Sequence, residues 1–339
     1  MILKDALERL LAGTHLAEDE ACALVHALTE ESTPAALAGA LLVALRAKGE
    51  VPAELRGLAR GLRERARSPL LDGSHAVDIV GTGGDGSGSL NLSTGAALLT
   101  AACGQAVVKH GNRALSSRAG SADVLEALGL ALPLDETRAG ACFAATKFTF
   151  LFAPYYHPAM ATLAGVRRAL GVRTVFNVLG PLCNPALPAY AVIGAYDLRT
   201  ADLMASALAG MPIERAFVVH GEPGWDEPTP VGPFALFDVR RGEVRTTKRD
   251  PRSIGIARCE PQALAGGDAT HNAARLRGVL TGEERGAHRD ALALGCALAL
   301  EVAGAARDWR DGLAQAHAAI DSGRAAGLID RIGRGDFDT

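Results

Sequence analysis

The chain has no uncharged apolar run long enough to cross a bilayer; its richest, residues 291–300, stops at Glu301. It has no excess of one charge. Thirty-five Lys and Arg stand against 38 Asp and Glu, a formal charge of −3, which excludes a general attraction to nucleic acid or an anionic membrane. The six cysteines show no paired metal spacing, and the first residues carry Lys4, Asp5, Glu8 and Arg9 where a secretory signal would be apolar. A reducing cytoplasm is the expected setting. There is no internal repeat, and only the Gly/Ser stretch at 81–89 is low in complexity. What is present, 339 residues of which 48% are hydrophobic, suffices for one large or two modest domains with a substantial core.

Residues 1–67 read as all-helical. Leu3, Leu7, Leu10 and Leu11 mark one apolar face, and Ala21, Leu24, Val25 and Leu28 a second. Thr33-Pro34 predicts an N-cap followed by proline, and Pro52 opens a fourth helix. His15 and His26 read as surface or helix-packing residues. After a linker at 68–75 the pattern alternates. Strands are expected near 76–80, 106–109, 148–153, 189–196 and 215–221, a hairpin over 234–239 and 244–247, and helices between and after them. This is the signature of an α/β fold, a mostly parallel sheet flanked by helices, behind a small helical domain.

The chain is organised around residues 78–129. Five glycines fall between Gly81 and Gly88, after one predicted strand and before a helix opening near Asn91. Such a loop brings backbone N–H groups close to an anion, beside a helix N-terminus. Lys109, Arg113 and Arg118 follow the second strand at the same sheet edge, which predicts a cradle for a polyphosphate. Two familiar phosphate loops are excluded by what is missing. No Asp or Glu occurs between Asp85 and Asp123, where a dinucleotide fold needs its ribose-binding acid, and Ser89-Leu90 stands where a P-loop needs Lys-Ser/Thr. There is no convincing Ser-His-Asp set either.

The blocks GTGGD, NLST, KHGNRALSS, GSADVLEALG and HPAMATLAGVRRALGVRTVFNVLGPLCNP closely resemble the anthranilate phosphoribosyltransferase family, over almost the whole chain and in the family's order. The related pyrimidine nucleoside phosphorylases share the glycine loop but differ in the KHGNR and RTVFN blocks. The resemblance implies a small helical domain, 1–67 plus a middle segment near 165–186, and a large α/β domain, 76–164 and 187–339, with the site between them. It implies transfer of phosphoribose from phosphoribosyl diphosphate to anthranilate, with Mg2+ as cofactor and a homodimer pairing through the helical domain near Leu3 to Leu28. Two other readings stay open: a paralogue with another amino acceptor, and a non-catalytic relative that binds nucleic acid, which the acidic balance disfavours.

By the same resemblance, Gly81, Gly84, Asp85, Ser89, Asn91, Leu92, Ser93 and Thr94 surround the sugar diphosphate. Lys109, His110, Gly111, Asn112, Arg113, Ala114, Leu115, Ser116 and Ser117 form a second phosphate segment, with Ser121 beyond it. Ser93, Asp226 and Glu227 hold the metal, Mg2+ favouring substrate and carboxylate oxygens. Lys109, Asn112 and Arg167 carry the catalytic burden, and Pro181 lies on the acceptor side. Arg167, ten residues after His157, has the family's spacing for the arginine facing the acceptor carboxylate; read alone, it is one of a surface pair with Arg168. Asp226-Glu227 read alone is a solvated turn. His110 either orients the amine or is a structural loop histidine, and His157 fixes the turn before its helix. Ser89-Leu90, Cys183, Trp225 to Pro228 and Gly295-Cys296 depart from the family's usual text, and none removes a charge the reaction needs.

Overall fold

The computed structural model describes residues 3–114, 118–335 and 337; Leu115, Ser116 and Ser117 lie outside them. Four helices come first, Leu3–Leu11, Glu18–Leu28, Ala35–Lys48 and Pro52–Glu64. Gly57 and Gly61, one turn apart, let the fourth helix lie backbone to backbone on the second. A Cβ at 57 would meet the Glu18 carbonyl oxygen at 2.1 Å, and one at 61 would meet Val25 Cγ1 at 2.4 Å. The loops are tied to the buried Glu54 carboxylate, which accepts from the Leu16 N–H (2.9 Å), the Val51 N–H (3.1 Å) and Lys48 Nζ (2.9 Å). These donors compensate the desolvation that a buried ion pair otherwise suffers.

Two details differ from the sequence expectation. Leu11 is exposed, and Ala6 and Leu10 carry the buried face, because adjacent helical residues lie about 100° apart. Thr33 does not cap its helix; its hydroxyl donates back to the Ala27 carbonyl (2.6 Å), and Pro34 stands at the N-cap.

Seven strands follow: β1 (Val77–Gly81), β2 (Val107–Gly111), β3 (Phe148–Phe152), β4 (Tyr190–Gly194), β5 (Arg215–Gly221), β6 (Phe234–Arg240) and β7 (Glu243–Arg249). They form one sheet in the order β3-β2-β1-β4-β5-β6-β7, parallel from β3 to β5 and closed by an antiparallel hairpin. The chain moves outward in one direction from β1 to β3 and in the other from β4 to β7, so the β1/β4 junction is the switch point where ligand crevices form in such sheets.

Strand alternation divides the core in two. Val192, Phe217, Val219 and Leu236 face a cluster with helices Leu92–Ala102, Ala287–Val302 and Trp309–Asp321. Ala191, Ile193, Val218 and Val239 face the other way, into a cluster shared with the four N-terminal helices and with Leu163, Phe176 and Leu182 of the middle segment. The helical bundle is thereby seated on one face of the sheet, beside the C-terminal end of β1.

A Gly57→Ala substitution gains about 1 kcal/mol of helix propensity. It also drives a methyl into the Glu18 backbone, which cannot rotate away, and overpacking of this kind costs about 1–3 kcal/mol. The variant is expected to unfold at lower urea than the parent; an equal or higher midpoint would show that the two helices separate freely.

Candidate active site

Four of the parallel strands end in glycine at their C-terminal edge, and the same loop sits on three of them. Gly81 of β1 and Gly194 of β4 are paired in register, and Gly221 ends β5. A Cβ at 81 would meet Asp226 Oδ2 at 2.4 Å, at 194 the Asp226 carbonyl oxygen at 1.6 Å, and at 221 the Glu227 carbonyl oxygen at 2.3 Å. Asp226-Glu227 is therefore no solvated turn but is laid across the switch point. It is fixed there by a bridge between Gly221 and the buried Trp225, N–H to O at 2.8 and 2.9 Å.

The glycine-rich loop wraps the acids. Gly83, Gly84, Gly86 and Gly88 all have positive φ, which only glycine adopts readily in sequence. The Gly83 N–H donates to Asp226 Oδ2 (2.5 Å), and the Ser93 N–H, in the first turn of helix Leu92–Ala102, donates to Glu227 Oε1 (3.1 Å). Asp85 accepts from the Asp226 N–H (3.3 Å) and from Ser87. Asn91 does not cap the helix. Its side chain donates to the Ala119 carbonyl (3.1 Å) and accepts from Asn272 (2.8 Å), which ties the loop to the C-terminal half. Ser89 bridges to Ala265 from the same half, while Leu92 and Thr94 are buried below.

One cation lies beneath this edge. Lys109 of β2 is buried, and its ammonium donates to the Ile79 carbonyl and to Ser93 Oγ (3.3 Å). Burial lowers its pKa, opposed by attraction to Asp78, Glu227 and Asp226. Asp78, buried on the opposite face of β1, is raised to about 6 by burial, with Lys109 and hydrogen bonds from Asn184 and the His110 N–H opposing. Asp226 is pushed up to about 7, first by desolvation and then by repulsion from Asp85; Glu227 reaches about 8, by desolvation and the charge of Asp226. Three carboxylates thus converge where one ammonium stands. The hard oxygen donors and their uncompensated charge fit Mg2+, which favours such ligands.

Of the residues expected to face the acceptor, His110 is buried with Nδ1 3.2 Å from the Gly180 carbonyl, beside Pro181, and its ring meets His157 edge-on at 5.1 Å. Desolvation lowers its pKa to about 3, so it is a weak base. Its Nε2 has no hydrogen-bond partner among the described residues. Arg167, on helix Ala161–Leu170, is half-buried 5.4 Å over the Phe176 ring and forms no salt bridge among the described residues; burial lowers its pKa. Asn112 is exposed at the end of β2, and its carbonyl accepts from Ser121 Oγ (3.1 Å). A Cβ at Gly111 would meet that same Oγ at 2.5 Å. The Arg113 guanidinium does not point free into a cradle: it is engaged by Asp123 (3.1 Å) and Glu126 (2.7 Å), while the Ala114 N–H donates to Asp123 (3.0 Å).

Sequence reasoning passed over several residues that build this edge. Gly194 and Gly221 sit at strand ends far from the glycine-rich loop, and no local pattern links them to it. Arg173 donates to the Gly84 carbonyl (2.6 Å), stacks over Tyr196 at 4.3 Å, and has its own carbonyl held by Arg46 (2.6 Å), so it joins the loop to the helical bundle. Asn184 locks Asp78 to β2 by donating also to the Val108 carbonyl (2.8 Å). Their side-chain chemistry is ordinary, and only proximity gives it meaning.

The raised acid pKa values have a thermodynamic consequence. Asp226 and Glu227 bind protons more tightly folded than unfolded, so without metal their contribution to stability falls as pH rises from the ordinary carboxylate range through about 7 and 8. The metal-free Asp226→Asn/Glu227→Gln variant is expected to be more stable than the parent at pH 8, with the gap narrowing towards about pH 5. Urea denaturation across that range checks this; a gap that widens on acidification would show that the acids are not desolvated.

The sequence model described as the glycosyl transferase family, a/b domain, matches residues 73–326, and that of the same family's helical bundle domain matches residues 4–66. The chain is 47% identical over 331 residues to the anthranilate phosphoribosyltransferase of Methylobacterium nodulans, covering 97% of each chain. Among solved structures, it is similar to the anthranilate phosphoribosyltransferase of Thermus thermophilus, with a TM-score of 0.92 and 44% identity over 98% of this chain and 99% of that one. It is also similar to the Saccharomyces cerevisiae enzyme in complex with PRPP and Mg, with a TM-score of 0.88 and 25% identity over 98% of this chain and 97% of that one. With the switch-point acids, the glycine-rich loop and full-length similarity in agreement, the chain belongs to the anthranilate phosphoribosyltransferase family.

Proposed function

We infer that the chain transfers the 5-phosphoribosyl group of phosphoribosyl diphosphate to the amino group of anthranilate, giving N-(5-phosphoribosyl)anthranilate and pyrophosphate, a step of tryptophan biosynthesis. The observation that carries the site assignment is the pair Asp226-Glu227, packed over Gly81, Gly194 and Gly221 and bonded to the Gly83 and Ser93 N–H groups. On this reading Gly84, Asp85, Ser89 and Asn91 receive the diphosphate beside these acids, which the strand-end glycines keep in place. Asp226 and Glu227, with Ser93 beside them, would hold Mg2+, whose charge offsets that of the leaving group. Lys109 lies beneath and contributes its ammonium through the low-dielectric edge of the sheet.

The reaction breaks the C1–O bond to pyrophosphate and forms a C1–N bond to the arylamine, which then loses a proton. The arylamine is neutral at pH 7, so no strong base is required. His110, with its lowered pKa, suits an uncharged hydrogen-bonding role and is too weak a base to keep the proton. Catalysis on this reading is placement plus charge stabilisation. Asn112, Pro181 and Arg167 line the acceptor side; the guanidinium, unpaired with any described carboxylate, matches both oxygens of the anthranilate carboxylate in plane. The bundle, the middle segment that packs with it, and the α/β part would close on this edge from two sides. The unpaired thiols among the described residues accord with a reducing cytoplasm.

A homodimer pairing through the helical domain is part of the proposal, and Leu11 of the first helix is exposed there. Leu24, Val25 and Leu28 are buried inside the bundle and are unavailable for pairing. An open apolar groove of about 530 Å³ runs instead between helices Ala35–Lys48 and Ala161–Leu170, lined by Ala36, Ala40, Val43, Gly165 and Ala169. Val43→Arg is expected to convert the dimer to a monomer in sedimentation; a parent that sediments as a monomer at every concentration would remove the proposal.

The function is tested by incubating the protein with phosphoribosyl diphosphate, Mg2+ and anthranilate. Anthranilate fluorescence should fall in proportion to pyrophosphate released, and turnover only with another amine would indicate a paralogue. Truncating one side of a buried charge pair costs on the order of 2–5 kcal/mol. At about 1.4 kcal/mol per tenfold, Arg167→Ala should lower kcat/KM for anthranilate by roughly 30-fold to a few thousandfold, with little change in KM for the diphosphate. Arg167→Lys should rescue only in part. An equal loss towards both substrates would assign Arg167 a structural role.

A further inference from the structure

Away from this edge, the helical bundle carries a second constellation of ligand-type side chains. Cys22 and His26 lie four residues apart on helix Glu18–Leu28 and so share one face. Glu64 ends helix Pro52–Glu64, which packs against it. One donor atom from each of Cys22, His26 and Glu64 lies within 4.8 Å of the other two. His26 Nε2 is 3.1 Å from Glu64 Oε2, and Cys22 Sγ donates to the same oxygen at 3.5 Å.

The closeness has a structural cause. Gly57 and Gly61 bring the two helix backbones into contact at this level, and a Cβ at 61 would lie 3.2 Å from the His26 ring. His26 Nε2 is shielded from solvent yet makes no hydrogen bond of acceptable geometry, even with Glu64 beside it. Cys22 is buried and Glu64 is half-exposed, so the cluster opens to solvent on the carboxylate side. A buried ring nitrogen that makes no hydrogen bond of acceptable geometry among the described residues, facing a thiol and a carboxylate, is poorly satisfied as a purely structural contact.

We propose that Cys22, His26 and Glu64 form a surface site for a zinc-class divalent ion that clips the second and fourth helices together. Sulfur, imidazole and carboxylate are the ligand types zinc accepts, and three protein ligands leave the fourth tetrahedral position for water. On binding, the Cys22 proton leaves to solvent, and thiolate and carboxylate together cancel the double charge of the ion. The neighbouring Arg60 therefore faces a neutral site; it stays held by Asp19 (2.5 Å) and Glu18 (3.5 Å) when Glu64, 3.7 Å from its Nε, turns to the metal. The oxygen-only donor set at Asp226 and Glu227 favours a harder ion, so the two sites differ in the metal they select.

The test is titration of the metal-free, reduced full chain with Co2+. One equivalent should produce a sulfur-to-cobalt charge-transfer band with the visible bands of tetrahedral cobalt, both removed by added Zn2+. Cys22→Ser and His26→Gln should each abolish the charge-transfer band while retaining parental phosphoribosyl transfer, which shows that they fold. Cys259→Ser, at another partly accessible thiol, and Asp226→Asn should leave the band in place. Absence of the band in the parent, or its survival in either Cys22→Ser or His26→Gln, would overturn the proposal.

Discussion

The site depends on three missing side chains. Gly81, Gly194 and Gly221 end adjacent strands, and each leaves space that a single Cβ would take from the Asp226-Glu227 backbone or carboxylate. Alanine at 194 would place its methyl 1.6 Å from the Asp226 carbonyl oxygen, a contact that only displacement of the loop can relieve. Because the three glycines belong to one rigid sheet, the acids are held by the most buried element of the fold rather than by their own loop. The glycine-rich loop and the first turn of helix Leu92–Ala102 then bond to those acids and take their positions from them.

That placement is electrostatically costly in the ligand-free protein. Asp78, Asp226 and Glu227 act on one buried ammonium, and burial, with repulsion among Asp85, Asp226 and Glu227, raises Asp226 and Glu227 into the neutral range. A structure optimised for stability alone would not gather desolvated carboxylates at a sheet edge. The function proposed above accounts for it, because a divalent cation brings the charge that complements these carboxylates. Part of that cost is offset by the Gly83 and Ser93 N–H groups, which donate to Asp226 and Glu227.

The second face of the sheet explains how His110 and the middle segment reach the first. Ala191, Ile193 and Val218 pack against the helical bundle and the middle segment, and this brings His110, Gly180 and Phe176 beside the end of β1. Arg173 crosses the same boundary, from the Gly84 carbonyl to Tyr196 and Arg46. Arg173 thereby links the bundle to the glycine-rich loop, its guanidinium bonded to Gly84 and stacked on Tyr196, its backbone carbonyl held by Arg46.

The element pattern was legible in the sequence because it is local. Short apolar runs marked β1 to β6 within a few residues, the turn at Arg240-Arg241-Gly242 marked the hairpin to β7, and the bundle helices declared themselves by their apolar spacing. The glycine-rich loop, Lys109 and the Asp226-Glu227 pair were also legible, through density of one residue type or resemblance to a family. Three things were decided only by the tertiary structure. Strand order brought Gly194 and Gly221 beside Gly81, though 113 and 140 positions separate them in the chain. Arg113, which reads as a phosphate ligand, is drawn to Asp123 and Glu126 on the next helix. His26, which reads as a packing residue, meets Cys22 along its own helix and Glu64 across a glycine contact. Periodicity and composition report what a residue prefers within a few positions of itself; its charge partners and the space around it are set by long-range packing, which no local pattern encodes.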